Sequence, residues 1–218
     1  MKRIFQRPMI LALMLFLATF IPIISAPLRM FQIITDQLPA DAIRFNAVPW
    51  ALFLHSLGGM IFGLLGPIQF SGAVKNRFGK FHRISGRIFV VAGMMLALSA
   101  LRLLVEFPNG STWVLVTARA VAGLGLMATL TLALTAIMNR NIAQHRNWMI
   151  RAYAIGMGAA TIAFIQLPIF LIRGKALEGY FADSLFVLSW IINLTIAELV
   201  IRHVRAKIEV GAQQSVIA

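Results

Sequence analysis

The sequence predicts an all-α integral membrane protein, a single domain built as a bundle of six transmembrane helices. Three observations carry this. Of the 218 residues, 60% are hydrophobic and only 12% are charged, and the mean hydropathy of +0.84 lies outside the range of soluble domains. The apolar residues fall into six stretches of about 20, the length that crosses a hydrocarbon core. The Lys and Arg residues gather between alternate stretches, so the net charge of +13 reads as a topology signal and not as nucleic-acid binding. Cysteine is absent, which excludes disulfides, a thiol nucleophile and Cys-ligated metal.

The first stretch, Met9–Ser25, follows a short basic segment with Lys2, Arg3 and Arg7. Ile24-Ser25-Ala26 resembles a signal-peptidase site, but Pro27 directly after it opposes cleavage, so an uncleaved helix is expected. Residues 26–46 read as a loop, its apolar patch Met30–Ile34 lying on the membrane surface. A second helix spans about Ala47 to Gly66 and carries His55, Gly58, Gly59, Gly63 and Gly66; the Gly59-x-x-x-Gly63 spacing lets a neighbour approach its backbone. A basic loop with Lys75, Arg77, Lys80, His82 and Arg83 leads to the third helix, which ends near Glu106.

Pro108-Asn109-Gly110 reads as a turn, and the fourth helix runs from about Trp113 to Met138. The fifth opens with His145-Arg146, passes Trp148 and Arg151, and ends near Ile172, as a helix anchored at an interface does. The sixth spans about Ser184 to His203, and the tail, about 206–218, reads as disordered.

Counting cations orients the chain. With the N-terminus in the cytoplasm, that side holds 14 Lys and Arg and the other side four, Arg29, Arg44, Arg173 and Lys175; Arg102 and Arg119 lie within helices. The expectation is a multi-pass protein of the cell inner (cytoplasmic) membrane, both termini cytoplasmic, its basic face attracting anionic lipid headgroups.

Three motifs then combine in one order: His55 with Gly58-Gly59 and LLGPIQF (Leu64–Phe70), HRISGR (His82–Arg87), and HRNWMIRAYA (His145–Ala154). Together they resemble a prokaryotic membrane-protein family known as domain of unknown function 2306, over roughly residues 48–170. That family is distantly similar to the transmembrane two-haem cytochromes b, which hold haem between histidines on neighbouring helices. The sequence departs from the family pattern in the fifth helix, where Ala163 stands in place of an arginine; Arg119 is the candidate substitute.

The resemblance implies haem b as cofactor. Haem needs one or two neutral imidazoles, apolar walls and cations for its propionates. His82 and His145 open helices at the same membrane face, with Arg83, Arg87, Arg146 and Arg151 close by, so the two are expected to act as a pair on haem iron. The plainer reading is an interfacial anchor meeting lipid phosphate. A third is an anion held at two helix N-termini.

His55 lies about eight residues into its helix, roughly 12 Å deep at about 1.5 Å per residue. Titratable groups at such depth are costly and default to function. Arg119, Gln166 and, nearer the surface, Arg102 lie in the same half, so the four are expected to line one polar cavity. Glu198 is expected to pair with Arg202, one turn on.

The leading expectation is a haem-b-binding electron carrier or oxidoreductase subunit with a membrane redox partner or quinone. The alternatives are a small transporter or channel with a polar outer cavity and a basic cytoplasmic mouth, or an accessory membrane protein without chemistry of its own. Whether the chain is an enzyme stays open.

Overall fold

Where no turn residue interrupts an apolar run, the chain stays helical, because a lipid environment leaves backbone amides no other partner. The computed structural model describes residues 8–39, 42–107, 112–175 and 177–217, with side chains from Thr19 to Ala206. The basic segment 1–7 and the Pro108-Asn109-Gly110 turn lie outside the described residues. All regular structure in them is helical, as the composition predicts.

Helix α1 (Pro8–Ile34) runs through Pro22 and Pro27, so most of the loop expected over 26–46 is helix, and Ile24-Ser25-Ala26 lies inside it. It ends where Asp36 takes a left-handed φ of 52°. A single 3₁₀ turn, Ile43–Ala47, precedes α2 (Pro49–Gln69), whose Pro49 suits a first turn with no amide partner to lose. The short α3 (Gly72–Arg77) is capped by Ser71, whose Oγ accepts from Val74 N at 3.4 Å. Then come α4 (Gly79–Glu106) and α5 (Trp113–Met138). The stretch expected to form one fifth helix is two, α6 (Ile142–Gly156) and α7 (Gly158–Arg173), the latter closed by Gly174 at φ 69°. Helix α8 (Gly179–Ile217) continues through the tail expected to be disordered, since no proline or turn pair stops it.

Helices α2, α4, α5, the α6–α7 pair and α8 are each long and apolar enough to cross a membrane, and α1 supplies a shorter apolar candidate. The exposed faces agree. On α4, Ile84, Ile88, Val91, Leu98 and Val105 are exposed along one stripe, while Ser85, Phe89, Ala92, Leu96 and Ser99 are buried along the other. A soluble helix would put charge on the first stripe; here both are apolar, the pattern of a lipid-facing helix. The buried hydroxyls serve themselves: Ser99 Oγ donates to Met95 O and Thr129 Oγ1 to Gly125 O, each at 2.7 Å.

Helix α2 packs between α1 and α4, α5 between α4 and α6, and α8 covers α5, α6 and α7, while α7 closes back on α1. At Gly58 the α2 and α4 backbones nearly touch, a Cβ there lying 3.0 Å from Ala92 O. The core sits between α2, α4, α5 and α6. Phe62 stacks on Phe89 with ring centroids 4.1 Å apart, and Tyr153 of α6 lies 5.8 Å from Phe62 and 6.3 Å from Phe89.

Two ends of the bundle can be told apart. The basic end carries the α2–α4 and α5–α6 connections. The opposite end carries residues 35–39 and 42–48, the end of α7 and the start of α8.

Candidate functional site

Helical spacing aligns Leu52, His55, Ser56, Gly59 and Gly63 on one face of α2, and Arg119, Ala122, Gly123 and Leu126 on one face of α5. The bundle turns these faces inward around two adjoining cavities of about 310 and 320 Å3. Both are lined by Leu52, His55, Leu96, Gly156 and Ala159. The first extends past Ala97 and Ala100 to Arg44, Phe107, Arg119, Phe186 and Trp190. The second extends along α1, past Pro22 and Ser25 to Arg29 and Gln32.

His55 therefore stands where the two cavities meet, and its Nδ1 is buried with no hydrogen-bond partner. Arg29 Nη1 in the second cavity is likewise buried and partnerless. In the first cavity the Arg119 guanidinium lies over the Phe186 ring, 5.3 Å from its centroid, and Arg44 lies 4.9 Å from the Phe45 centroid. No Asp or Glu lines either cavity among the described residues. Asp183 lies close by, its Oδ2 accepting from Thr112 N at 2.7 Å and its charge acting on Arg119. The two cavities thus form an apolar chamber with three arginines and an imidazole on its walls.

The break between α6 and α7 belongs to this site. Gly156, Met157 and Gly158 interrupt the helix beside both cavities, and the amides of Ala160 and Thr161 both reach Met157 O at 3.1 Å. The carbonyls around the interruption find partners on α8: Trp190 Nε1 donates to Ile155 O at 3.0 Å, Asn193 Nδ2 to Ala154 O at 3.2 Å, and Ser189 Oγ to Gly158 O at 3.1 Å. Thr161 Oγ1 then donates to Asn193 Oδ1 at 2.9 Å. Irregular backbone inside a membrane needs this kind of satisfaction, and it marks the binding regions of many carriers.

Of the four residues expected in one polar cavity, the structure brings together His55 and Arg119. Arg102 is bonded instead to Glu106, one turn on along α4, at 2.6 Å, and Gln166 is half-buried on α7; neither lines the two cavities. Sequence reading missed Arg29, Arg44, Trp190 and the helix break. Gly156-x-Gly158 inside a span, with Trp190 and Asn193 three residues apart inside another, was the available signal.

At the basic end, His145 Nδ1 lies 2.8 Å from Ala133 O, which makes Nδ1 the donor in that bond. His82 is half-buried with Nδ1 partnerless, Arg83 and Arg87 are exposed, and Arg146 is half-buried. Arg151 is committed elsewhere: its Nε and Nη2 donate to Glu198 Oε1 and Oε2 at 2.6 and 3.0 Å, so Glu198 takes its hydrogen bonds from Arg151 of α6, while Arg202, the partner expected one turn on, acts on it through charge alone. One to two turns along α4 and α6 from the histidines, Phe89, Met149, Ala152 and Tyr153 are buried in one cluster.

The family model described as "Predicted membrane protein (DUF2306)" matches residues 52–201, more than half of the chain, and covers the helices that carry His55, Arg119, the α6–α7 break and its α8 partners. No curated protein and no solved structure matches the chain. The chain belongs to the DUF2306 family of predicted membrane proteins.

Proposed function

We propose that this protein is a small membrane carrier for an amphipathic organic anion, bound in the paired cavities around His55. One observation carries the reading: a mostly apolar chamber of about 310 Å3 meets a second of about 320 Å3 at a buried imidazole whose Nδ1 makes no hydrogen bond, and Arg29, Arg44 and Arg119 line the two with no carboxylate in either lining among the described residues. The anionic head is held by Arg119 and Arg44, and the apolar body lies against Leu52, Leu96 and Leu126. The glycine-bounded break at Met157 gives α7 a place to pivot, which is what a carrier needs at its binding site. The cation asymmetry supports a cytoplasmic basic end, which puts the cavities in the outer half of the membrane.

This reading is preferred to haem b held between His82 and His145. Two imidazoles on one iron need nitrogens about 4 Å apart, from metal–nitrogen bonds of about 2 Å, and an open slot for the porphyrin. Phe89, Met149, Ala152 and Tyr153 pack in one buried cluster one to two turns along α4 and α6 from the histidines, and Arg151 is bound to Glu198 and not free for a propionate.

Binding of naphthalene-2-sulfonate to the detergent-purified full chain tests the proposal, with neutral naphthalene-2-methanol as the control. The sulfonate raises the unfolding temperature and the alcohol does not, and His55→Ala and Arg119→Gln each weaken its binding roughly tenfold, the loss of one charge-assisted hydrogen bond. Uptake of the sulfonate into proteoliposomes then separates a carrier from a receptor. Equal response to the alcohol, or unchanged binding in both variants, overturns the reading.

A further inference from the structure

The second cluster of partnerless polar atoms lies at the basic end. His82, Ser85 and Phe89 share one stripe of α4 by their spacing, and Arg146, Met149 and Tyr153 share one stripe of α6. The rings of Phe89 and Tyr153 meet across the gap, and Phe70 of α2 lies 5.2 Å from Tyr153. The two stripes therefore face one another, and His82 and Arg146 stand at the same mouth between α2, α4 and α6. Gln69 closes its floor, its Nε2 donating to Ser85 Oγ at 2.7 Å and to His82 O at 3.3 Å.

Two polar atoms in this mouth, His82 Nδ1 and Arg146 Nε, are buried and make no hydrogen bond. Buried polar groups are rarely left so, and a charged one least of all. His145 stands beside them, its ring fixed by Ala133 O so that Nε2 points away from that bond. Lys75 and Arg83 are exposed at the rim. Among the described residues no carboxylate is bonded to them: the sequence has no Asp or Glu between 42 and 105 or between 107 and 177, and Glu198 is held by Arg151.

We infer that this mouth binds a phosphate group, with His82 and Arg146 as its buried donors, His145 beside them, and Lys75 and Arg83 at the rim. A phosphate presents acceptor oxygens on every side, so donors on two helices reach it together, whereas a planar carboxylate suits a single fork. The group comes from an anionic phospholipid headgroup or from free phosphate, and the site stands independently of the cavities around His55.

Purified full-length protein in a neutral detergent is titrated with phosphatidylglycerol, with phosphatidylcholine, and with inorganic phosphate against chloride, following the unfolding temperature. Stabilisation by phosphatidylglycerol beyond phosphatidylcholine identifies the lipid as the source; stabilisation by inorganic phosphate alone identifies the free anion. Either response weakens roughly tenfold in Arg146→Gln and in His82→Gln, and is largely kept in Arg146→Lys, which retains the charge. Should the buried variants fail to fold, Lys75→Gln with Arg83→Gln, both exposed, weakens it severalfold. The inference is overturned if neither phosphatidylglycerol nor phosphate exceeds its control, or if the variants respond as the wild type does. Protein that shows b-type absorption bands, lost on His82→Ala, also overturns it, since haem would then hold the site.

Discussion

Gly66 on α2 and Tyr153 on α6 occupy contiguous space, so that a methyl group on Gly66 would overlap the tyrosine ring. The contact seats α6 against α2 and places Tyr153 among Phe62, Phe70 and Phe89. Gly66→Ala should therefore cost about 1–3 kcal/mol by overpacking. Gly72→Ala, where a Cβ meets nothing within 4 Å, should leave the protein within about 0.5 kcal/mol of the wild type. Unfolding temperatures of the two variants in one detergent check this; equal temperatures would show that the α2–α6 contact carries no constraint.

Arg151 and Glu198 tie α6 to α8 by two hydrogen bonds. Their side chains are 27% and 41% exposed, so the pair is discounted to a coupling of about 1 kcal/mol. A double-mutant cycle of Arg151→Gln and Glu198→Gln should return that value, with Arg202→Gln coupled to Glu198 more weakly. Coupling of Arg202 to Glu198 stronger than that of Arg151 would restore the pairing expected from one-turn spacing.

The α6–α7 interruption depends on α8. Asn193→Leu removes the bond to Ala154 O and the acceptor for Thr161, and Trp190→Phe removes the bond to Ile155 O. Hydrogen exchange of amides 156–161 should rise in both variants, more in Asn193→Leu, while amides in the middle of α5 stay protected. Unchanged exchange at 156–161 would mean that the break holds itself.

By sequence, 14 of the 20 Lys and Arg fall in the N-terminal segment, the connections of the basic end and the segment after the last span. A reporter fused after Ala218 should be active only in the cytoplasm. Activity on the other side of the membrane would invert the proposed depth of the cavities.

The all-helical membrane class was legible because lipid imposes it through composition: residue after residue is apolar on every face, and only helices then satisfy the backbone. The bounds of α5 were legible too, since Trp113 and the polar Asn139 punctuate the run. The extension of α1 to Ile34 was not, because Pro22 and Pro27 signal a stop in water and are absorbed in a membrane helix.

The sequence by itself determined that His55 and Arg119 are costly at their depth, since that cost depends only on position along a span. The tertiary structure alone decided that these two share a cavity, that Arg102 turns to Glu106, and that Arg29 and Arg44 join the cavity walls. It alone decided that the fifth span breaks at Met157, because the carbonyls of Ala154, Ile155 and Gly158 find their donors some 31 to 39 residues away on α8. Local spacing reports which residues share a helix face. Which faces meet is set by packing between distant helices, and no periodicity along the chain encodes it.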